Sequence, residues 1–529
     1  MVWSGMVARV DMEIVYRGEW ARLEGAGGYS GSGFRETMTM SAKRWSRRQV
    51  MQVGGLSALG GWSSRVVGQG LPSPEPLEDE GVRLVTTTAE SAWQKGSLFK
   101  PAFGWDVLNL NVGEAVGRPM EGFGGCFNEL GWTSLRALSA EDREGVMREL
   151  FDPVAGARFT YCRMPIGAND YATEAYSYDE TPDDFELKHF SIEHDRGTLV
   201  PFIQAALKHQ PKLRLWASPW TPPSWMKRNN FYAEAKARPG WKDNGIRPEQ
   251  VGHEGEDMFR LEPRYLETYA RYFAKFVEAY QAEGIRVGMV MPQNEFNSAQ
   301  NFPSCTWTPQ GLAAFLRHLG PEMKKLDVEV FFGTLERGNP ELLDTVMRDK
   351  DAGEWVKGVG VQWAGKNALP AIHREYPELP MFQSEQECGD GSNSWNYTGY
   401  CWQLMKDYFR NGACGYMYWN ISTAEGGRST WGWTQNSLVS VDEAAKTFRY
   451  NHDYYLLKHL THFVDVGARL VATTGTCDDA LGFVNPDGTS VLLVRNELTH
   501  ARRVQVQARE RAVMIELPAD SVATLTLRT

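Results

Sequence analysis

From Ala102 to His462 the chain alternates short apolar runs with longer amphipathic stretches, which confines it to strands and helices in succession around one sheet. Eight runs read as strands: Met120–Phe127, Arg158–Met164, Leu213–Ala217, Val287–Met291, Val328–Gly333, Val356–Gln362, Met381–Ser384 and Gly415–Trp419. Helical stretches lie between them. In Pro263–Glu283 the residues Tyr265, Tyr269, Tyr272, Phe273, Phe276 and Val277 recur at helical spacing. Pro263 suits a first helical position, where its missing N–H is not needed. Eight strands with intervening helices predict an α/β fold, a (β/α)8 TIM barrel.

After about His462 the texture changes. Leu481-Gly-Phe-Val-Asn-Pro-Asp-Gly-Thr-Ser-Val-Leu-Leu-Val-Arg-Asn496 reads as two strands around a Pro-Asp-Gly turn, and Val504 to Leu527 continues as alternating strands. This predicts a smaller antiparallel, β-sandwich-like side domain, which the strand-like segment Gly81–Asn111 completes from before the barrel. The predicted organisation is therefore a leader and linker over 1–78, strands of the side domain over 79–114, a barrel over 115–462 and a C-terminal β domain over 463–529.

The 529 residues suit one barrel plus a satellite, and 42% hydrophobic residues are enough for a large core. A net charge of -10 lacks the basic footprint of a nucleic-acid binder. The 19 Trp and 20 Tyr offer faces that stack on sugar rings, although aromatics also dominate cores. The seven cysteines form no CxxC pair and no zinc spacing, leaving room for a single bridge, for example between Cys305 and Cys388. Ten histidines occur without an HExxH pattern, so neither a catalytic metal nor a cofactor is expected. No apolar run reaches the roughly 18 residues of a transmembrane helix.

Near the start, Ser46-Arg-Arg-Gln-Val-Met51 precedes the mildly apolar, glycine-diluted stretch Gln52 to Gly61. Two arginines before such a stretch resemble a twin-arginine export signal, with Met38 or Met40 as its start. Pro72, Pro74 and Pro76 then mark a linker. Export to the periplasm or the medium is the expectation.

Two carboxylates stand out in the barrel segment. Glu295 closes Val287-Gly-Met-Val-Met-Pro-Gln-Asn-Glu295, and Glu385 closes Leu379-Pro-Met-Phe-Gln-Ser-Glu385. Carboxylates at the ends of different strands converge on one mouth of a barrel. A pair flanking one bond is what glycoside hydrolysis requires. Glu387, two residues on, faces the same side in an extended strand and rivals Glu385.

The motifs resemble glycoside hydrolase family 30, the group that contains glucosylceramidases, over roughly residues 115 to 500. They are Gly122-Phe-Gly-Gly-Cys-Phe-Asn128; Arg163-Met-Pro-Ile-Gly-Ala-Asn-Asp170 with Tyr176-Ser-Tyr-Asp-Glu-Thr-Pro-Asp-Asp184; Ala217-Ser-Pro-Trp-Thr-Pro-Pro-Ser-Trp-Met-Lys227; Gln293-Asn-Glu295; Ser384-Glu385 with Cys388; and Tyr418-Trp-Asn420 with Glu425-Gly-Gly427. Each is weak alone, and their order makes them strong together. The resemblance implies a retaining β-glycosidase with Glu385 as nucleophile and Glu295 as acid/base. It implies that Asn294 meets a sugar 2-hydroxyl, that Asp170 and Trp220 bind the terminal sugar, and that Trp363 and Trp419 wall the pocket. Arg163 either keeps the nucleophile ionised or forms a structural ion pair.

Three features depart from that pattern: Phe296 follows the acid/base where the glucosylceramidases carry Pro, Gln362 replaces a His before Trp363, and the loops Asn297–Cys305 and Arg428–Trp433 differ. These loops put the aglycone in doubt. The substrate is a β-glucoside, an oligo- or polysaccharide, or a glycolipid. β-1,6-Glucanase, β-xylosidase and β-fucosidase activities stay open, because the fold does not fix the sugar. A non-catalytic carbohydrate-binding barrel is the alternative from another class.

Overall fold

The structure, a computed structural model, describes residues 75–528 apart from 103, 105 and 106. The twin-arginine stretch and most of the leader lie outside these residues. Eight parallel strands close a barrel: β1 (Gly122–Cys126), β2 (Tyr161–Pro165), β3 (Arg214–Ser218), β4 (Met289–Val290), β5 (Glu329–Leu335), β6 (Val356–Gln362), β7 (Met381–Gln386) and β8 (Ala413–Asn420). Each pairs with its sequence neighbours, and β8 returns to β1 with Gly415 opposite Gly122.

All eight strands fall where the apolar runs predict them. The largest difference is β4, only two residues long. Its bonding to β3 reaches further, from Gly288 N–H to Leu215 O and from Met291 N–H to Ala217 O, both at 2.9 Å. Pro292, without an N–H, then ends the ladder. The helix Pro263–Ala282 shows why the outer layer forms. Proline opens it, and the buried stripe Tyr269, Phe273, Phe276 and Tyr280 faces inward. Tyr269 stacks on Phe315 of the next helix at 5.0 Å between ring centroids. Burying each such side chain stabilises by about 1.5–3 kcal/mol.

The second layer is a ten-stranded sheet built from both flanks of the barrel. Val82–Thr87 pairs antiparallel with Ser521–Leu527, and the long strand Val107–Pro119 pairs antiparallel with Arg469–Gly475. One pairing breaks the antiparallel pattern: Val107–Pro119 runs parallel to Arg502–Ala508. Alternation alone cannot reveal this, because it fixes which face is buried and not the direction of the neighbour. A three-stranded sheet after β8 (Ser422–Ala424, Val439–Asp442, Thr447–Tyr450) is a further difference from the sequence expectation, since strands this short carry little periodicity. All seven cysteines are buried free thiols, so Cys305 and Cys388 are not bridged. Among the described residues no helix is long and apolar enough to cross a membrane.

His459 ties the barrel's last helix, His452–Thr461, to this sheet. Its Nδ1 lies 2.8 Å from Thr524 Oγ1 and its Nε2 2.8 Å from Thr87 Oγ1. Thr524 Oγ1 donates to His459 O, so Nδ1 carries the proton and Nε2 accepts from Thr87. Burial, reinforced by Lys458 and His462, lowers the imidazole from 6.5 to about 3. Between those values the unfolded chain binds a proton that the folded one does not, so stability falls as pH drops through this window. Replacing His459 by Gln, which keeps one donor and one acceptor, should flatten the pH dependence of unfolding there by up to about 1.4 kcal/mol per pH unit. Chemical denaturation at a series of pH values checks it.

Candidate active site

The carboxyl ends of the barrel strands bring the candidate residues to one mouth, where catalytic groups of such barrels gather. Arg163 comes from β2 and Glu385 from β7, while Gln362 ends β6 and Trp419 lies near the end of β8. Glu295 differs from its expected place at a strand end. It sits beyond β4 in a turn, with a left-handed φ of 44°. Its N–H donates to Thr334 Oγ1 at 2.8 Å.

One hydrogen-bonded chain joins the two carboxylates. Arg163 is fully buried, and its Nη1 donates to Glu385 Oε2 at 2.7 Å. Its Nη2 donates to Asn294 Oδ1 at 2.7 Å and to Ser218 Oγ at 2.9 Å. Gln362 Nε2 reaches both Asn294 Oδ1 (3.3 Å) and Glu295 Oε1 (3.1 Å). Ser384 Oγ donates to Gln362 Oε1 at 2.9 Å, which orients that amide. Asn294 Oδ1 also accepts from Thr334 Oγ1, so its carbonyl is fully used and only its NH2 is left to meet a ligand.

Three indoles enclose the guanidinium: Trp220 at 4.5 Å, Trp216 at 4.8 Å and Trp419 at 5.5 Å to the ring centroids. Trp220 stacks on Trp419 at 5.2 Å. In this apolar cage the Arg163–Glu385 ion pair is little screened, and removing one partner strands a buried charge at a cost of about 3–5 kcal/mol.

Several polar atoms here are buried without a hydrogen-bond partner: Asp170 Oδ1, Trp363 Nε1 and Trp419 Nε1. Such groups are costly unless a ligand meets them. An acceptor and two donors on aromatic walls suit a hydroxyl-rich ring. Trp363 holds a left-handed φ of 48°.

Burial dominates the electrostatics. It raises Glu295 above its usual carboxyl value, opposed by Gln362, Arg337 and Arg163. It also raises Glu385, with Arg163 pulling back and the Glu295 charge adding to the rise. Asp170 is pushed well above the carboxylate range by burial and then by both glutamates. A like-charged pair with a cation on one member favours one proton on the other. The geometry places that cation on Glu385.

Glu387 is held elsewhere. Strand β7 ends at Gln386, so the two-residue alternation does not carry on to it. Its carboxylate pairs with Lys366 Nζ at 2.6 Å and accepts from Tyr400 OH at 2.5 Å. Sequence reasoning marks Gln362 only as a departure from a pattern and passes over Ser218, Thr334 and Trp216. Their one signal is position at the ends of predicted strands.

The description "Glycosyl hydrolase family 30 TIM-barrel domain" matches residues 120–464, and the "Glycosyl hydrolase family 30 beta sandwich domain" matches 467–525. Lysosomal acid glucosylceramidase of Mus musculus is 28% identical over 412 residues, covering 71% of this chain and 75% of the mouse protein. An endo-1,6-β-D-glucanase of Aspergillus fumigatus is 27% identical over 419 residues, covering 74% of this chain and 81% of the fungal one. The crystal structure of SrfJ from Salmonella typhimurium superposes with a TM-score of 0.74 at 21% identity, covering 85% of this chain and 99% of the other. An endo-β1,6-glucanase structure does so with a TM-score of 0.71 at 22% identity, covering 85% and 100%. These two structures share the fold.

The Arg163 contact yields a prediction with a sign. Its charge lowers Glu385, so Arg163→Gln should raise that carboxyl further and move the acid limb of the rate–pH profile upward by about one unit or more. Profiles of kcat/KM for the two proteins test this, and an unmoved limb refutes it.

Proposed function

The chain belongs to glycosyl hydrolase family 30, and on that premise we propose that it is a retaining β-glycosidase acting on β-glucosides. The observation that carries this reading is the single buried chain linking Glu385, Arg163, Asn294, Gln362 and Glu295. It couples two carboxyls with opposite needs. Glu385, charge-paired, attacks the anomeric carbon as the glycosidic C–O bond breaks, while Glu295 gives its proton to the departing oxygen. In the second step Glu295 takes a proton from water, whose oxygen displaces Glu385 and restores both groups. The NH2 of Asn294 is directed at the sugar 2-hydroxyl. Trp220, Trp363 and Trp419 wall the ring, and Asp170 accepts from its hydroxyls.

The finer reading is glucosylceramidase-like removal of a terminal glucose, in line with the mouse relative. A second reading, cleavage of β-1,6-glucan, has equal support from the fungal relative. The Arg428–Trp433 and Asn297–Cys305 loops bear on the group attached to the first sugar. Side-by-side kcat/KM values on an aryl β-glucoside, an aryl β-xyloside, β-1,6-glucan and glucosylceramide decide between them. A higher value on xyloside than on glucoside overturns the glucose reading.

The catalytic assignment has its own test. Glu385→Gln should abolish turnover on every substrate. Glu295→Ala should lose about 10²–10⁴-fold on poor leaving groups, spare activated aryl glycosides and respond to azide. An inactive Glu387→Gln beside an active Glu385→Gln refutes the assignment.

We also propose export through the twin-arginine stretch. The N-terminus of the protein recovered from the periplasm or medium of its host should lie between about Val66 and Glu80. A start at Met1 in that fraction refutes it.

A further inference from the structure

Strand β5 delivers a third carboxyl behind Glu295. Glu336 directly follows the end of β5 and is 1% exposed. Its Oε1 accepts the N–H of Asn297 at 2.8 Å and the hydroxyl of Ser298 at 3.0 Å. Its Oε2 is buried and has no hydrogen-bond partner. Arg337 comes only to 3.8 Å, and its guanidinium is engaged with Glu254 at 3.0 and 3.2 Å.

Asn297 and Ser298 belong to the turn that begins at Glu295, where Ser298 N–H donates to Glu295 O at 2.8 Å. Glu295 holds a left-handed φ there, a conformation that a residue with a Cβ keeps only when its surroundings fix it. Thr334 fixes the N–H of Glu295. Glu336, two residues further along the same strand end, fixes Asn297 and Ser298.

We propose that Glu336 is a positioning residue for the acid/base: an acceptor that locks the 295–298 turn and so aims the Glu295 carboxyl at the leaving oxygen. The inference rests on the reading of Glu295 as acid/base. Burial first, and then the Glu295 charge, raise Glu336 to about 8, which favours its neutral form near pH 7. Glu336 therefore acts through shape and not through charge. The other charged groups that act on Glu295 or share its site are Glu385 from β7, Arg163 from β2, Asp170 from beyond β2 and Arg337 from beyond β5.

The test compares kcat/KM on a dinitrophenyl β-glucoside, which departs unaided, and on an alkyl β-glucoside, which needs the acid. Glu336→Ala should lose about 10²-fold on the alkyl glucoside and less than about threefold on the activated one. Glu336→Gln keeps the accepting oxygen. It should stay within about threefold of the parent on both and leave the alkaline limb of the pH profile in place. Ser298→Ala deletes one of the two bonds and guards against a misfolded Ala variant. It should lose about 3- to 10-fold on the alkyl glucoside alone.

Equal losses on both substrates in Glu336→Ala and Ser298→Ala overturn the proposal. So does Glu336→Gln failing as badly as Ala, or an alkaline limb displaced downward in Glu336→Gln, the mark of a charge effect. Glu295→Ala runs alongside as the reference. If it shows no leaving-group dependence, the acid/base reading itself fails; if it does and Glu336→Ala does not, only this inference fails.

Discussion

A guanidinium with no exposed surface is the constraint on which the rest of the site depends. Arg163 sits among three indoles in the middle of the barrel mouth. A charge there is tolerable only if its donors have partners and a countercharge is in contact. Glu385 supplies the countercharge, and Asn294 and Ser218 occupy the second nitrogen. Arg163 Nε is left without a bond, so the site carries some residual cost. The arrangement fixes β2, β3, β7 and the turn after β4 against one another. The geometry of the candidate site and the stability of the barrel mouth thus rest on the same set of bonds.

The barrel mouth gives carboxyls of one chemical type different surroundings. Glu385 touches a cation, Glu295 touches an amide, and Glu336 touches an N–H and a hydroxyl. Burial raises all three. What then divides them is the partner, because a cation favours the charged form far more than a neutral donor does. The residues that supply these partners, Arg163 and Gln362, come from strands separated in sequence. Only closure of the barrel brings them together.

The barrel is legible in the sequence because each strand is a short apolar run and each helix an amphipathic one. Glu385 is legible for a related reason, since it ends a run that stops abruptly. Glu295 is legible as a candidate but not as a turn residue, because Pro292 reads as part of the apolar run and not as its end. Gln362 looks like an anomaly beside a His, although its amide performs the bridging that the geometry needs. Glu336 gives no signal at all. Its neighbours in sequence, Leu335 and Arg337, do not reveal that its partners lie on the loop from another strand. Contacts of that kind are set by loop paths, and no period of two or of 3.6 encodes them.

Loop paths also build the rim of the barrel mouth. The loops after β3 and β4 are pinned by a fully buried pair, Lys227 with Glu234 at 3.2 Å. Lys227 Nζ also donates to Ser304 O at 2.5 Å, and Glu234 Oε2 accepts from Thr306 N–H at 2.9 Å. Trp431 of the loop after β8 reaches the same group through Tyr232 OH at 3.4 Å. Tyr171 OH donates to Gly427 O at 2.7 Å, which ties the loop beyond β2 to that after β8. These loops form one bonded group, so a change in any one shifts the others. A rim built this way is rigid, and rigidity lowers the entropy lost on ordering a ligand. The loops after β3 and β8 also meet at Trp241 and Trp433, with Arg238 over both rings at 5.0 and 5.8 Å. A guanidinium held against indoles presents fixed hydrogen-bond donors at its edge beside apolar faces.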